Sequence, residues 1–121
     1  IDAYKKIMSA MGERPITFYP AFKKFFRLPT DGAILLSQCM YWSSNMGVFA
    51  FSKDCSEICL ECCLTETELH AAIERLKKLD FIEITQSSID ANACQIKINL
   101  SRLSTFFYTA NNENALCQQD G

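Results

Sequence analysis

Cys55, Cys59 and Cys62 stand in the spacing C-x3-C-x2-C, which is able to ligate an iron–sulfur cluster. Radical enzymes with that spacing close a barrel around the cluster, and 121 residues cannot build one. On a helix, Cys55, Ile58, Cys59 and Cys62 fall at i, i+3, i+4 and i+7, a face on which thiols pack inward as small hydrophobes. No metal and no cofactor are expected. His70 is the single histidine, with Glu66 and Glu74 four residues to either side. On an exposed helix face it would serve as a base contact, a pH-responsive group or an ordinary surface residue. The run from Phe22 to Arg27 interleaves aromatic and basic residues in the manner of a single-strand stacking platform. At helical spacing Phe22, Phe25 and Phe26 turn inward instead, leaving Lys23, Lys24 and Arg27 outside. Glycines at 12, 32, 47 and 121 form no phosphate loop, and spacing singles out no serine, histidine and acid set. An enzyme is not expected.

The elements that would hold these residues are legible in outline. Tyr4, Ile7, Met8 and Met11 predict a short amphipathic helix stopped by Gly12. Pro15 to Tyr19 reads as a short strand, and Ala21 to Arg27 as a short helix. Pro29-Thr30-Asp31 starts a helix, capped by Thr30 or Asp31, that runs to Asn45 and is apolar around most of its circumference, hence central. After Gly47 there is room for one strand, Val48 to Phe51. The cysteine face makes the next helix. Thr65 and Glu68 then form a capping box for a helix to Leu79 with Leu69, Ala72, Ile73, Leu76 and Leu79 as its buried stripe. Glu74 and Lys78 would pair across its outer side. Phe81 to Gln86 and Cys94 to Leu100 alternate with period two, giving a hairpin whose tip is Ser87 to Ala93. That tip holds Asp90 and no basic residue, which argues against insertion into a minor groove. Ser101 would cap a last helix with Leu103, Phe106 and Phe107 on one face, and the chain after Asn111 is polar.

A strand and a buried helix, then two short helices joined by a tight turn, then a hairpin, is the order of a winged helix-turn-helix. The expected class is α+β, mostly helical with a small antiparallel sheet. The expected organisation is a basic arm packed on the domain at 1–28, the winged helix at 29–100, and a helix with a polar tail at 101–121. The stretch from Ala33 to Trp42, the brace from Ser52 to Cys59 and the capped segment Leu64-Thr-Glu-Thr-Glu-Leu-His together resemble the N-terminal winged-helix domains of phage and plasmid replication proteins. This resemblance spans about residues 16 to 100 and implies double-stranded DNA binding at a replication origin or regulatory site. Cys63 stands where the turn of such motifs often carries glycine.

In such a domain the second helix would offer Glu66, Thr67, His70, Ala71 and Glu74 to the major groove, with phosphate contacts from Lys53, Lys77 and Lys78 and from Lys23 and Lys24 of the N-terminal basic set. Twelve basic and fourteen acidic residues leave a net charge of −2, short of the basic balance usual for nucleic-acid binding. The charge is nevertheless polarised. Residues 1–30 hold six basic and two acidic side chains, and residues 31–83 hold four and nine. The acidic helix face therefore supports a second expectation, a winged-helix module that binds protein. Replication proteins or a second copy are the partners foreseen, with no membrane contact. Seven cysteines and no charged-then-apolar leader suggest free thiols in a reducing cytoplasm.

Overall fold

The computed structural model describes residues 1–12, 15–86 and 92–108. In chain order they form α1 (Asp2–Met11), α2 (Pro20–Phe26), α3 (Thr30–Met46), β1 (Ala50–Asp54), α4 (Cys55–Cys62), α5 (Glu66–Leu76), β2 (Ile82–Gln86), β3 (Ala93–Ile98) and α6 (100–108). The class is α+β, mostly helical with one small antiparallel sheet.

The sequence of α3 is apolar on nearly every side, and the fold places it at the centre, between α2 and α5. Leu35, Leu36, Cys39 and Trp42 are buried, and Tyr41 and Met46 are the large apolar side chains left outside. Full burial of residues such as Leu35 and Leu36 is worth roughly 1.5–3 kcal/mol each. Neither Thr30 nor Asp31 caps the helix. Pro29 occupies the cap position, Thr30 Oγ1 accepts from Lys23 Nζ at 2.9 Å, and Asp31 Oδ1 accepts from the Gly32 amide at 2.7 Å. At the far end Gly47 adopts φ 69°, and the Val48 amide donates to the Ser43 carbonyl, closing the last turn.

The sheet has the order β1-β3-β2, all antiparallel. Its period-two strands separate the faces cleanly. Phe51, Ile84 and Ile96 share one register row and point to the core, as do Ile82, Ile98 and Cys94, while Ser52, Glu83, Thr85, Gln95 and Lys97 face outward. The first strand lies further along than Val48 to Phe51, because pairing with β3 carries the ladder on to Asp54 opposite Ala93. Ser52, Lys53 and Asp54 are consequently strand residues, and α4 starts only at Cys55.

Residues 15–19 form no strand. Prolines at 15 and 20 remove two donors, and the Tyr19 amide donates to Ser37 Oγ of α3 at 3.0 Å. The final helix is capped by Asn99, not Ser101: Asn99 Oδ1 accepts from the Arg102 amide at 3.1 Å. Its Leu103 is buried, and Phe106 and Phe107 close over Phe26 at ring separations of 4.6 and 5.7 Å, with Phe81 beneath at 5.0 Å. Phe22 is buried and Phe25 and Phe26 are half-buried, with Lys23, Lys24 and Arg27 exposed. Of the expected tip from Ser87 to Ala93, residues 87–91 lie outside the described residues and Ala93 belongs to β3; the polar tail after Asn111 also lies outside them. Among the described residues no helix is long and apolar enough to cross a membrane.

Candidate functional site

The junction of α4 and α5 is set by local chemistry. α4 buries Ile58 and Cys62, with Cys55 and Cys59 half-buried beside them, so the cysteine face points inward. Cys63 ends the helix at φ 55°, and the Leu64 amide donates to the Cys59 carbonyl at 3.0 Å. The turn thus demands the left-handed conformation and receives it from a residue with a Cβ. Thr65 then caps α5 reciprocally: Thr65 Oγ1 accepts from the Glu68 amide at 3.1 Å, and Glu68 Oε1 accepts from the Thr65 amide at 3.0 Å. Leu69, Ala72, Ile73 and Leu76 bury against α3, which fixes the rotation of α5 about its axis.

That rotation leaves Glu66, Thr67, His70, Ala71 and Glu74 exposed on one outward face. α5 ends at Leu76 and not at Leu79, so Lys77 and Lys78 sit on the turn that follows it. The expected Glu74–Lys78 pair is replaced by Glu74 and Lys77 at 3.3 Å, three residues apart. Both side chains are exposed, and such pairs contribute little to stability. His70, Glu74 and Lys77 line a shallow groove of about 100 Å³ whose other wall is Thr85 and Gln86 of β2. Sequence reasoning did not connect those two strand residues to α5. The missing signal is the turn length from Leu76 to Ile82, which brings the strand back alongside the helix.

Lys53 is placed elsewhere. It points inward from β1, with Nζ 4.1 Å from the centre of the Trp42 ring and 3.2 Å from Glu61 Oε1. Trp42 Nε1 donates to Glu61 Oε2 at 2.7 Å. Its ammonium is thus engaged by a carboxylate and a ring face, and its side chain is only 18% exposed. Lys23 and Lys24 lie on α2, which packs on α3. The α5 face and Lys77 and Lys78 therefore form one contiguous feature, to which Lys53 does not contribute.

All the described thiols but Cys63 lie in or against the core. Cys55 Sγ and Cys94 Sγ are 2.9 Å apart across the junction of β1 and β3. Burial holds the Cys39 thiol far above its ordinary range, with neighbouring Cys62 and Cys94 adding to the effect. Burial first, then Glu61 and Cys59, pushes Cys62 up to about 12, and burial first, then the Cys55 contact, does the same for Cys94. Protonated buried thiols behave as small apolar groups. Among the described residues no group of three or more histidine, cysteine or acidic side chains is arranged to hold a metal ion. Against known proteins, no family model, no curated protein and no solved structure matches the chain.

Proposed function

We propose that the chain is a winged helix-turn-helix domain that binds double-stranded DNA through the outward face of α5, in a replication or regulatory protein of phage or plasmid type. The observation that carries this reading is topological. A buried helix, a strand, a helix–turn–helix and a hairpin follow one another, and the first strand pairs with the second strand of the hairpin in the order β1-β3-β2. In that arrangement α4 braces α5, and the polar side of α5 is offered to a groove. Glu66 and Glu74 would accept from cytosine amino groups, His70 and Thr67 would contact base edges, and Lys77 and Lys78 would lie against phosphates.

The test is fluorescence anisotropy with labelled duplexes, random and taken from the protein's own replicon, at about 50 mM salt, where phosphate contacts are strongest. Saturable binding is expected. The double variant Lys77→Glu, Lys78→Glu should weaken binding to every duplex and lower the salt slope by about 2. Substitutions at Glu66 or His70 should instead change the preference among sequences. No binding to any duplex would overturn the reading.

One observation favours a second reading. Glu74 draws Lys77 into a pair, so the middle of the α5 face is acidic and its nearest cation is partly neutralised. A protein partner with a basic surface would suit that face. Partner capture that survives nuclease and is lost with Glu66→Lys, Glu74→Lys would support this alternative.

A further inference from the structure

In sequence Cys55 stands with Cys59 and Cys62; in the fold its sulfur meets that of Cys94 in β3, 39 positions on, at 2.9 Å. The backbone sets this approach. Asp54 pairs with Ala93 at the end of the β1–β3 ladder, and Cys55 and Cys94 are the residues next to that pair, set diagonally across the two strands and packed on or in the core. The Cys55 amide donates to the Asn92 carbonyl at 2.6 Å, which holds the first turn of α4 against β3. A disulfide bond is about 2.05 Å long, so the sulfurs need to close by only about 0.9 Å while the ladder stays in place. Their access to solvent differs: Cys94 is fully buried, and Cys55 is half-buried at the start of α4.

A sulfur that solvent can reach, with a second sulfur in contact behind it, is the arrangement in which thiol oxidation ends in a disulfide. We propose that Cys55 and Cys94 form a reversible oxidation site for hydroperoxides, in which Cys55 takes the oxidant and Cys94 closes the bond. The hydroperoxide gives one oxygen to Cys55 Sγ. Its O–O bond breaks, the thiol becomes a sulfenic acid, and the other oxygen takes the thiol proton and leaves as water or an alcohol. Cys94 Sγ then attacks the Cys55 sulfur. The S–S bond forms as the S–O bond breaks, and the hydroxyl leaves as water with the Cys94 proton. Two electrons pass from the thiols to the peroxide. Two external thiols reverse the change by exchange, and become a disulfide themselves. Burial first, then the Cys55 contact, keeps Cys94 protonated, so the second step is the slow one. The closed bond ties the start of α4 to β3 across α4, α5 and β2, a long loop whose closure restricts the unfolded chain. The assignment does not depend on whether α5 binds DNA.

Peptide mapping of the whole native chain after hydrogen peroxide treatment at neutral pH tests it, with an acid quench and alkylation before digestion. A protease that cuts after glutamate parts Cys55, Cys59 and the adjacent Cys62 and Cys63 into separate peptides, because Glu57 and Glu61 stand between them. A peptide joining Cys55 to Cys94 is expected, absent before treatment and removed by dithiothreitol. The urea midpoint of the oxidised chain should rise by about 1–2 M, and Cys55→Ser should abolish that rise. In Cys94→Ala the sulfenic acid has no partner to close on, so dimedone should label Cys55 several-fold more than in the parent. The mapping uses the unsubstituted chain and stands whether or not either variant folds. An oxidised chain in which Cys94 remains a free thiol overturns the proposal, as does a bond from Cys94 to Cys59 or Cys62. A Cys55–Cys94 bond that forms only in urea, or one that lowers the urea midpoint, overturns it as well.

Discussion

A cysteine on an amphipathic face has two fates, and burial decides between them. Cys39, Cys62 and Cys94 lie in the core and stay protonated well above the ordinary thiol range, whereas Cys63 faces solvent. Iodoacetamide at neutral pH should therefore modify Cys63 in the native chain and spare the three core thiols, as peptide mass mapping would read. The same burial makes stability depend on alkali. Above pH 9 the unfolded chain releases these protons and the folded chain keeps them, so unfolding is favoured as pH rises from about 9 towards 12. Urea midpoints should fall progressively between about pH 8 and about pH 10.5, with little change below 8. The Trp42–Glu61–Lys53 clamp is the second feature at this scale. Glu61→Ala would leave Trp42 Nε1 without its acceptor and Lys53 without its counter-charge, at a cost of about 1–2 kcal/mol. The emission of Trp42, the sole tryptophan, should shift with it.

Elements differ in how far local sequence determined them. The capping box at Thr65 and Glu68 and the stripe from Leu69 to Leu76 needed nothing beyond their own spacing, and α5 starts where that spacing places it. The α4–α5 turn is where local preference and fold conflict: α3 reaches its left-handed stop with Gly47, while α4 reaches the same conformation with Cys63. Cys63→Gly should raise stability by about 0.5–1 kcal/mol, and Cys63→Val should lower it, because a branched side chain suffers most there. Chemical denaturation of the two variants beside the parent would settle the sign. Residues 15–19 show the opposite case. They have strand-forming side chains, but prolines bracket them and the hydroxyl of Ser37 takes up the Tyr19 amide.

For the molecule as a whole, the net charge of −2 conceals a basic beginning and an acidic middle. The structure sorts those charges unequally. Lys53 is drawn inward, Lys77 is held by Glu74, and Lys5 and Lys6 stand on a helix with no surface of its own. Because α1 buries nothing, removing residues 1–11 should leave the unfolding free energy of dilute protein within about 0.5 kcal/mol of the parent. Removal of α6 should cost much more. Its Leu103, Phe106 and Phe107 pack on Phe22, Phe26 and Phe81 from distant parts of the chain. Thermal melts of the two truncations at equal concentration would show the contrast.

By itself the sequence determined the order of helices and strands from α2 onward, the buried faces of α3, α4 and α5, and the identity of the exposed residues on α5. These follow from periodicity and capping, which are local and depend on residues within a few positions of one another. Only the tertiary structure decided where Lys53 points, which residue caps α3 and α6, where β1 begins, and which strand residues stand beside α5. The caps are choices between adjacent residues, but the other three depend on a partner far away in sequence: Trp42 and Glu61 for Lys53, the β3 register for β1, the return of β2 for the groove. A residue's own neighbours along the chain carry no record of such partners, because the contact exists only once the core has closed.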